Sequence, residues 1–182
     1  MNFCLWVTGL PGSGKSTIVN ELEQLFAVTG FDFVTLRLDD IRKVLTPEPK
    51  YTDAERQIVY RSLVLMAELL VAHSTQNVII DATGNRRAFR ELARTRIPEF
   101  AEIYVKCPLE ICQSREASRD GHGVEKNLYQ KAEAGRLDGN LPGISTPYEE
   151  PVHPDVLVAS DKLTPNESAK RIMDYLRSRW MK

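Results

Sequence analysis

The segment Gly9-Leu10-Pro11-Gly12-Ser13-Gly14-Lys15-Ser16 constrains this chain more than any other. It matches G-x-x-x-x-G-K-[ST] and lies between a continuous apolar run, Phe3 to Thr8, and a stretch of helical spacing, Lys15 to Ala27. Glycines let successive backbone N–H groups curl round a phosphate without Cβ clashes. The helix that follows aims the positive end of its dipole at the same anion. Strand, loop and helix in that order imply a nucleoside triphosphate site. Gly9, Pro11, Gly12, Ser13, Gly14, Lys15, Ser16 and Thr17 are the residues expected to hold the triphosphate. Lys15 would bridge its β- and γ-phosphates, and the Ser16 hydroxyl would bind Mg²⁺.

The rest of the chain keeps alternating. Phe31 to Leu38, Asn77 to Asp81, Ile103 to Cys107 and Asp155 to Ala159 read as further strands. Asp39 to Leu45, Thr52 to His73, residues 85–97, Pro108 to Ser118 and Leu128 to Ala134 read as helices. In the longest, Val59, Leu63, Ala67, Leu70 and Val71 share one face. Thr164, Pro165 and Glu167 occupy the N-cap, N1 and N3 positions that announce a final helix. The alternation predicts a three-layer α/β/α fold with a central parallel sheet of about five strands. Residues 1–182 are expected to form one domain. The segment 120–154 breaks the pattern, being rich in glycine and proline with little aliphatic periodicity. It reads either as a lid that closes over a site or as a plain linker.

Charge and cysteine usage narrow the class. Lys plus Arg number 24 and Asp plus Glu 25, for a net charge of −1, which argues against a nucleic acid or membrane partner held by a bulk positive field. No stretch approaches the roughly 18 apolar residues of a membrane span. Cys4, Cys107 and Cys112 show no C-x-x-C spacing. That argues against a disulfide framework or a structural zinc and fits a reducing, cytoplasmic setting.

In a parallel sheet, ligands gather at the carboxyl ends of the strands. Asp39 stands at the end of the second predicted strand, where a carboxylate can accept a hydroxyl proton or hold a metal-bound water, or can simply cap the next helix. Arg42, close by, can grip an anionic acceptor. Asp81 ends the third strand, a position suited to a second carboxylate near the metal. Phosphoryl transfer needs cations for the charge that spreads in its transition state, and Arg42, Arg56, Arg87 and Arg115 are candidates. Arg86, Arg90 and Arg94, spaced four apart, read as a solvated stripe. Cys107 and Cys112 read as small packed apolar residues.

Several segments together resemble the adenylyl-sulfate kinase family. Val105-Lys106-Cys107-Pro108-Leu109-Glu110-Ile111-Cys112 with Arg115 is similar to its strand-to-helix segment. Leu128-Tyr129-Gln130-Lys131-Ala132 with Ala134-Gly135 resembles its lid helix, and Gly143-Ile144-Ser145-Thr146-Pro147-Tyr148-Glu149 with Pro151 the part that closes over substrate. The resemblance implies a P-loop kinase fold, usually dimeric, that transfers the γ-phosphate of ATP to the 3′-hydroxyl of adenylyl sulfate with Mg²⁺. It implies that Asp39 is the catalytic aspartate and that Arg115 contacts ATP. It further implies that Arg42, Arg56, Arg87, Lys126 and Ile144 contact the acceptor nucleotide.

The departures from the family pattern lie mostly on the acceptor side. Arg37 and Leu38 replace the first two members of the family's Asp-Gly-Asp, and Val59 replaces a substrate-side asparagine. Two phenylalanines that sandwich the substrate adenine become Tyr51 and Leu141. A third-strand-loop serine becomes Gly84, which removes any phosphoserine route and leaves direct in-line transfer. Asp81-Ala82-Thr83-Gly84-Asn85-Arg86-Arg87 also resembles the corresponding loop of polynucleotide and zeta-toxin-like kinases. A kinase of the same fold acting on another nucleotide, a nucleotide-linked sugar or a small hydroxyl compound is the first alternative. A non-catalytic nucleotide-binding module is the second.

Overall fold

The computed structural model describes residues 2–118, 127–135 and 141–180. Five parallel strands, β1 (Cys4–Thr8), β2 (Phe33–Arg37), β3 (Asn77–Asp81), β4 (Phe100–Lys106) and β5 (Val156–Ala159), form one sheet in the order β2-β3-β1-β4-β5. The connecting helices are α1 (Lys15–Ala27), α2 (Leu38–Leu45), α3 (Asp53–His73), α4 (Arg87–Arg96), α5 (Leu109–Ala117), α6 (Leu128–Glu133) and α7 (Pro165–Arg179). This is the predicted α/β arrangement, with β1 central and buried on both faces.

The pleat explains why β1 reads as an unbroken apolar run. Leu5 and Val7 enter a core closed by α1 and α7, where Ile18, Leu22, Ile172 and Leu176 are buried. Cys4 and Trp6 enter the opposite core, closed by α3 and α4 through Val59, Leu63, Ala67 and Phe89. Strands buried on both faces cannot alternate polar and apolar residues. A third, smaller cluster joins Cys107, Cys112, Tyr129 and Leu141 with Leu10, Leu109 and Ile144. It fastens α5 and α6 to the loop after β1.

Most predicted boundaries agree within two residues. Two of the shifts, one of three residues and one of two, have visible reasons. The fourth strand begins at Phe100 rather than Ile103, because β1 pairs with β4 from Cys4↔Phe100 onward. The helix expected over 85–97 starts at Arg87, because Gly84 has φ 53° and Asn85 is held by the segment near residue 147. The capping box at Thr164 forms as expected, with Thr164 Oγ1 accepting from Glu167 N at 3.2 Å. Among the described residues, no helix is long and apolar enough to cross a membrane.

Candidate active site

The loop between β1 and α1 is built by its own backbone. Ser13 N donates to Leu10 O at 3.1 Å and Lys15 Nζ donates to the same carbonyl at 2.9 Å, so the loop folds round its central residues. Gly12 has φ 77°, and a Cβ there would collide with the Cys112 carbonyl of α5. Only glycine allows that left-handed turn and that approach together. Lys15 is buried, Ser16 half-buried and Thr17 exposed at the start of α1, whose N-cap is Gly14. Pro11 is tied to α6 through its carbonyl, which accepts from Tyr129 Oη at 2.7 Å.

Arg115 of α5 lies on the flank of this loop. Its guanidinium donates to Ser160 O at 2.8 Å and to Ser160 Oγ at 3.2 Å, and Ser160 Oγ donates to Ser13 O at 2.7 Å. Arg115, Gly14, Thr17 and the turn Ser160–Pro165 enclose a cavity of about 470 Å³. Sequence reading placed Arg115 but not the 160–165 turn. Its one visible signal, the Thr164-Pro165 capping pair, spoke for a helix start alone.

The carboxyl ends of β2 and β3 carry the other predicted groups. Asp39 is exposed in the first turn of α2 and makes no hydrogen bond or ion pair among the described residues. The N-cap of α2 is Arg37, with no side-chain cap, so capping does not occupy Asp39. One turn on, Arg42 pairs with Glu55 at 3.2 Å and lies over the Tyr51 ring, 5.3 Å from its centroid. Arg56 is buried, and its Nε donates to Tyr51 O at 3.2 Å. Burial lowers the Arg56 pKa, and Arg42 and Arg86 push the same way. Arg42, Tyr51 and Arg56 thus meet at the N-terminus of α3, in a cationic patch that favours an anionic ligand.

Asp81 is buried at the end of β3 and is already paired: Arg37 Nη1 lies 3.3 Å from its carboxylate, and Arg37 Nη2 reaches Asn20 at 2.8 Å and Glu23 at 3.1 Å. Among the described residues no three His, Cys, Asp or Glu side chains could together hold a metal ion. Ser16 stands half-buried in the first turn of α1, and Asp81 is engaged by Arg37.

Within the stripe Arg86, Arg90 and Arg94, Arg90 is not solvated, which corrects the sequence reading at that position, while Arg86 and Arg94 are half-buried. Arg90 is only 1% exposed and donates to Glu102 of β4, to the Gly84 carbonyl and, at 2.6 Å, to the Glu149 carbonyl. Arg94 pairs with Asp155 at 2.7 Å and Arg86 with Asp53 at 2.8 Å. The partners come from distant segments, which helical spacing cannot reveal. Around Arg90 the segment 147–149 is sewn to the loop after β3. Asn85 Nδ2 donates to Pro147 O at 3.2 Å, Glu149 N to Asn85 O at 2.8 Å, and Arg87 N to Glu149 Oε2 at 2.7 Å. Tyr148 Oη shares a 2.9 Å hydrogen bond with Thr8 Oγ1.

Gly84 is fixed by its surroundings. A Cβ at its φ of 53° would lie 2.9 Å from the Trp6 ring, and its N–H donates to Tyr60 Oη at 3.1 Å. Leu141 is buried in the small third cluster and heads a turn in which its carbonyl accepts from Ile144, Ser145 and Thr146. It lines neither cavity. Ile144 lines a second cavity of about 380 Å³, with Leu10, Leu109, Gly143, Tyr148 and Glu150. Cys107 and Cys112 pack as apolar residues, and burial pushes the Cys112 thiol up to about 12. Within the segment expected to close over the site, residues 120–126, including Lys126, and 136–140 lie outside the described residues.

A loop of this shape, at the carboxyl edge of a five-stranded parallel sheet, marks a P-loop kinase fold. The family model described as adenylylsulphate kinase matches residues 1–159, and the chain belongs to that family. The adenylyl-sulfate kinase of Halothermothrix orenii is 38% identical over 178 residues, 96% of this chain and 89% of its own. A probable adenylyl-sulfate kinase of Archaeoglobus fulgidus is 36% identical over 162 residues, 89% of this chain and 98% of its own. The structure of the Mycobacterium tuberculosis APS kinase CysC in complex with AMPPNP and APS has a TM-score of 0.84 at 29% identity, covering 97% of this chain and 98% of that one.

Proposed function

We propose that this protein transfers the γ-phosphate of ATP to the 3′-hydroxyl of adenylyl sulfate. One observation carries the reading beyond family membership. The segment 141–149 is joined both to the P-loop, through the Leu10 cluster, and to the loop after β3, through Arg90 and Asn85. Donor loop and acceptor wall thereby share one edge of the sheet.

In this reading Lys15 leaves the Leu10 carbonyl for the β- and γ-phosphates and follows the charge into the transition state. Arg115 and the 160–165 turn hold the nucleoside end of ATP in the larger cavity. Ser16 would hold Mg²⁺, which supplies charge neutralisation on the phosphates. Asp39, exposed and unengaged, takes the proton of the acceptor hydroxyl. Arg42 and Arg56 bind the anionic part of the acceptor, with Tyr51 beside them as a stacking surface. Arg87, whose backbone N–H is held by Glu149, completes that wall.

ADP release measured with ATP alone and with adenylyl sulfate tests the proposal. Release that depends on adenylyl sulfate is the expected result. Release that depends instead on another nucleotide or hydroxyl compound would overturn the acceptor while keeping the kinase. No acceptor-dependent release from any such compound would leave a binding module.

A further inference from the structure

The pattern Thr-x-x-Glu opens two helices of this chain, and the two glutamates behave differently. At α7 the pair closes on itself: Thr164 Oγ1 accepts from Glu167 N, and Glu167 Oε2 accepts from Thr164 N at 2.8 Å. That reciprocal arrangement satisfies two N–H groups that a helix start leaves without partners. At α3 only half of it forms. Thr52 Oγ1 accepts from Glu55 N at 3.2 Å, while the Glu55 carboxylate passes the N-cap and reaches the two residues before it. Its Oε2 accepts from Lys50 N at 2.7 Å. Its Oε1 accepts from Tyr51 N at 3.2 Å and from Arg42 Nη1 at 3.2 Å.

Two of those contacts land on the cationic patch at the start of α3. Tyr51 has φ 50°, a left-handed backbone that a bulky residue keeps only where its surroundings hold it there. Glu55 holds its N–H, and Arg56 Nε donates to its carbonyl at 3.2 Å, so consecutive residues of α3 grip Tyr51 from both sides. The same carboxylate fixes Arg42, whose guanidinium lies 5.3 Å from the centroid of the Tyr51 ring. Both side chains of the Arg42–Glu55 pair are largely shielded, at 12% and 14% exposed. A guanidinium carries five N–H donors, so pairing one of them leaves others for an anion. A long, flexible cation is thereby set in one orientation before any ligand arrives, which lowers the ordering cost of binding.

We infer that Glu55 is a positioning residue for the acceptor, holding Arg42 and the left-handed Tyr51 in the geometry in which they receive it. The inference rests on the reading in which Arg42, Tyr51 and Arg56 face the acceptor. Steady-state ADP release by the full chain, with ATP and adenylyl sulfate varied in turn, tests it alongside denaturant unfolding of each variant. Glu55→Ala should raise the acceptor KM about 10–100-fold, the loss expected when hydrogen bonds to a charged group are removed, with the ATP KM within about twofold of wild type. Glu55→Gln keeps the shape and one acceptor oxygen and should fall between the two; it carries the test if the alanine variant does not fold. Thr52→Ala removes the cap of the same helix and should lower stability without raising the acceptor KM. In unfolding, Arg42→Ala and Glu55→Ala should be non-additive by about fivefold or more in the equilibrium constant, a coupling read without any acceptor. An acceptor KM within about threefold of wild type for both Glu55 variants would overturn the inference. So would a parallel rise in both KM values, an equal effect of Thr52→Ala on the acceptor KM, or additive unfolding effects. A wild type that releases no ADP with adenylyl sulfate overturns the acceptor reading instead, and the unfolding cycle then decides whether Glu55 holds Arg42.

Discussion

The donor half of the site and the acceptor half are built by different kinds of contact. From Gly9 to Thr17 much of the geometry is local. The Leu10 carbonyl collects Ser13 N and Lys15 Nζ, and Gly12 turns where only glycine can. On the proposed acceptor side the loop after β3 is held by groups distant in sequence. Arg90 joins residues 84, 102 and 149, and Asn85 reaches across to 147. A locally determined loop can be carried intact from one protein to another. A wall assembled from distant segments can be altered one contact at a time.

That contrast can be tested, and the largest effect should come from Arg90. Arg90→Met strips the guanidinium from the buried Glu102 carboxylate, and removing one partner of a buried pair costs about 3–5 kcal/mol. Denaturant unfolding should show that loss. Any folded Arg90→Lys protein should show a raised KM for the acceptor with KM for ATP little changed. A cost below about 1 kcal/mol would mean that the acceptor wall does not depend on this residue. Lys15→Ala attacks the donor half and should lower turnover about 10²–10³-fold without loss of stability, as deletion of a charge-stabilising donor does. Asp39→Asn should leave ATP binding unchanged and reduce turnover about 10²-fold. Because Asp39 does not cap α2, equal losses of stability and activity are not expected. Leu141→Phe should be the mildest. The resemblance suggested that restoring an aromatic there would improve adenine stacking, but Leu141 is packed against Cys107, Cys112 and Tyr129. An added ring should cost about 1–3 kcal/mol by overpacking and bring no gain in acceptor KM. A tighter acceptor KM would show that the side chain turns into the site when substrate binds.

How much could be read from the sequence follows the same division. The strand order of the motif, the caps and the P-loop were legible because each depends on residues within a turn or two. Thr164 and Glu167 find each other three positions apart, and Asn77 to Asp81 is a strand in both readings. Arg86, Arg90 and Arg94 were read as a solvated face because their spacing is all the sequence offers. Their partners, Asp53, Glu102, Asp155 and the Glu149 carbonyl, lie 12 to 61 residues away. Asp81 was read as a metal group from its place at a strand end. Its engagement with Arg37 needed β2 beside β3, a pairing that strand alternation alone does not specify. The 160–165 turn went unassigned because a cavity wall leaves no periodic trace.

The close fit between Gly84 and Trp6 also fixes an order of events. Any side chain larger than hydrogen at position 84 meets the indole, and the backbone there is already left-handed. A serine at that position requires the indole to move or be replaced by a smaller side chain. Trp6 would have to shrink first, and it stands fully buried in the central strand with its indole N–H bonded to the Ala82 carbonyl at 2.9 Å. Replacement of Gly84 therefore begins with a loss of stability. The glycine at that position is thus tied to a residue 78 places earlier in the sequence.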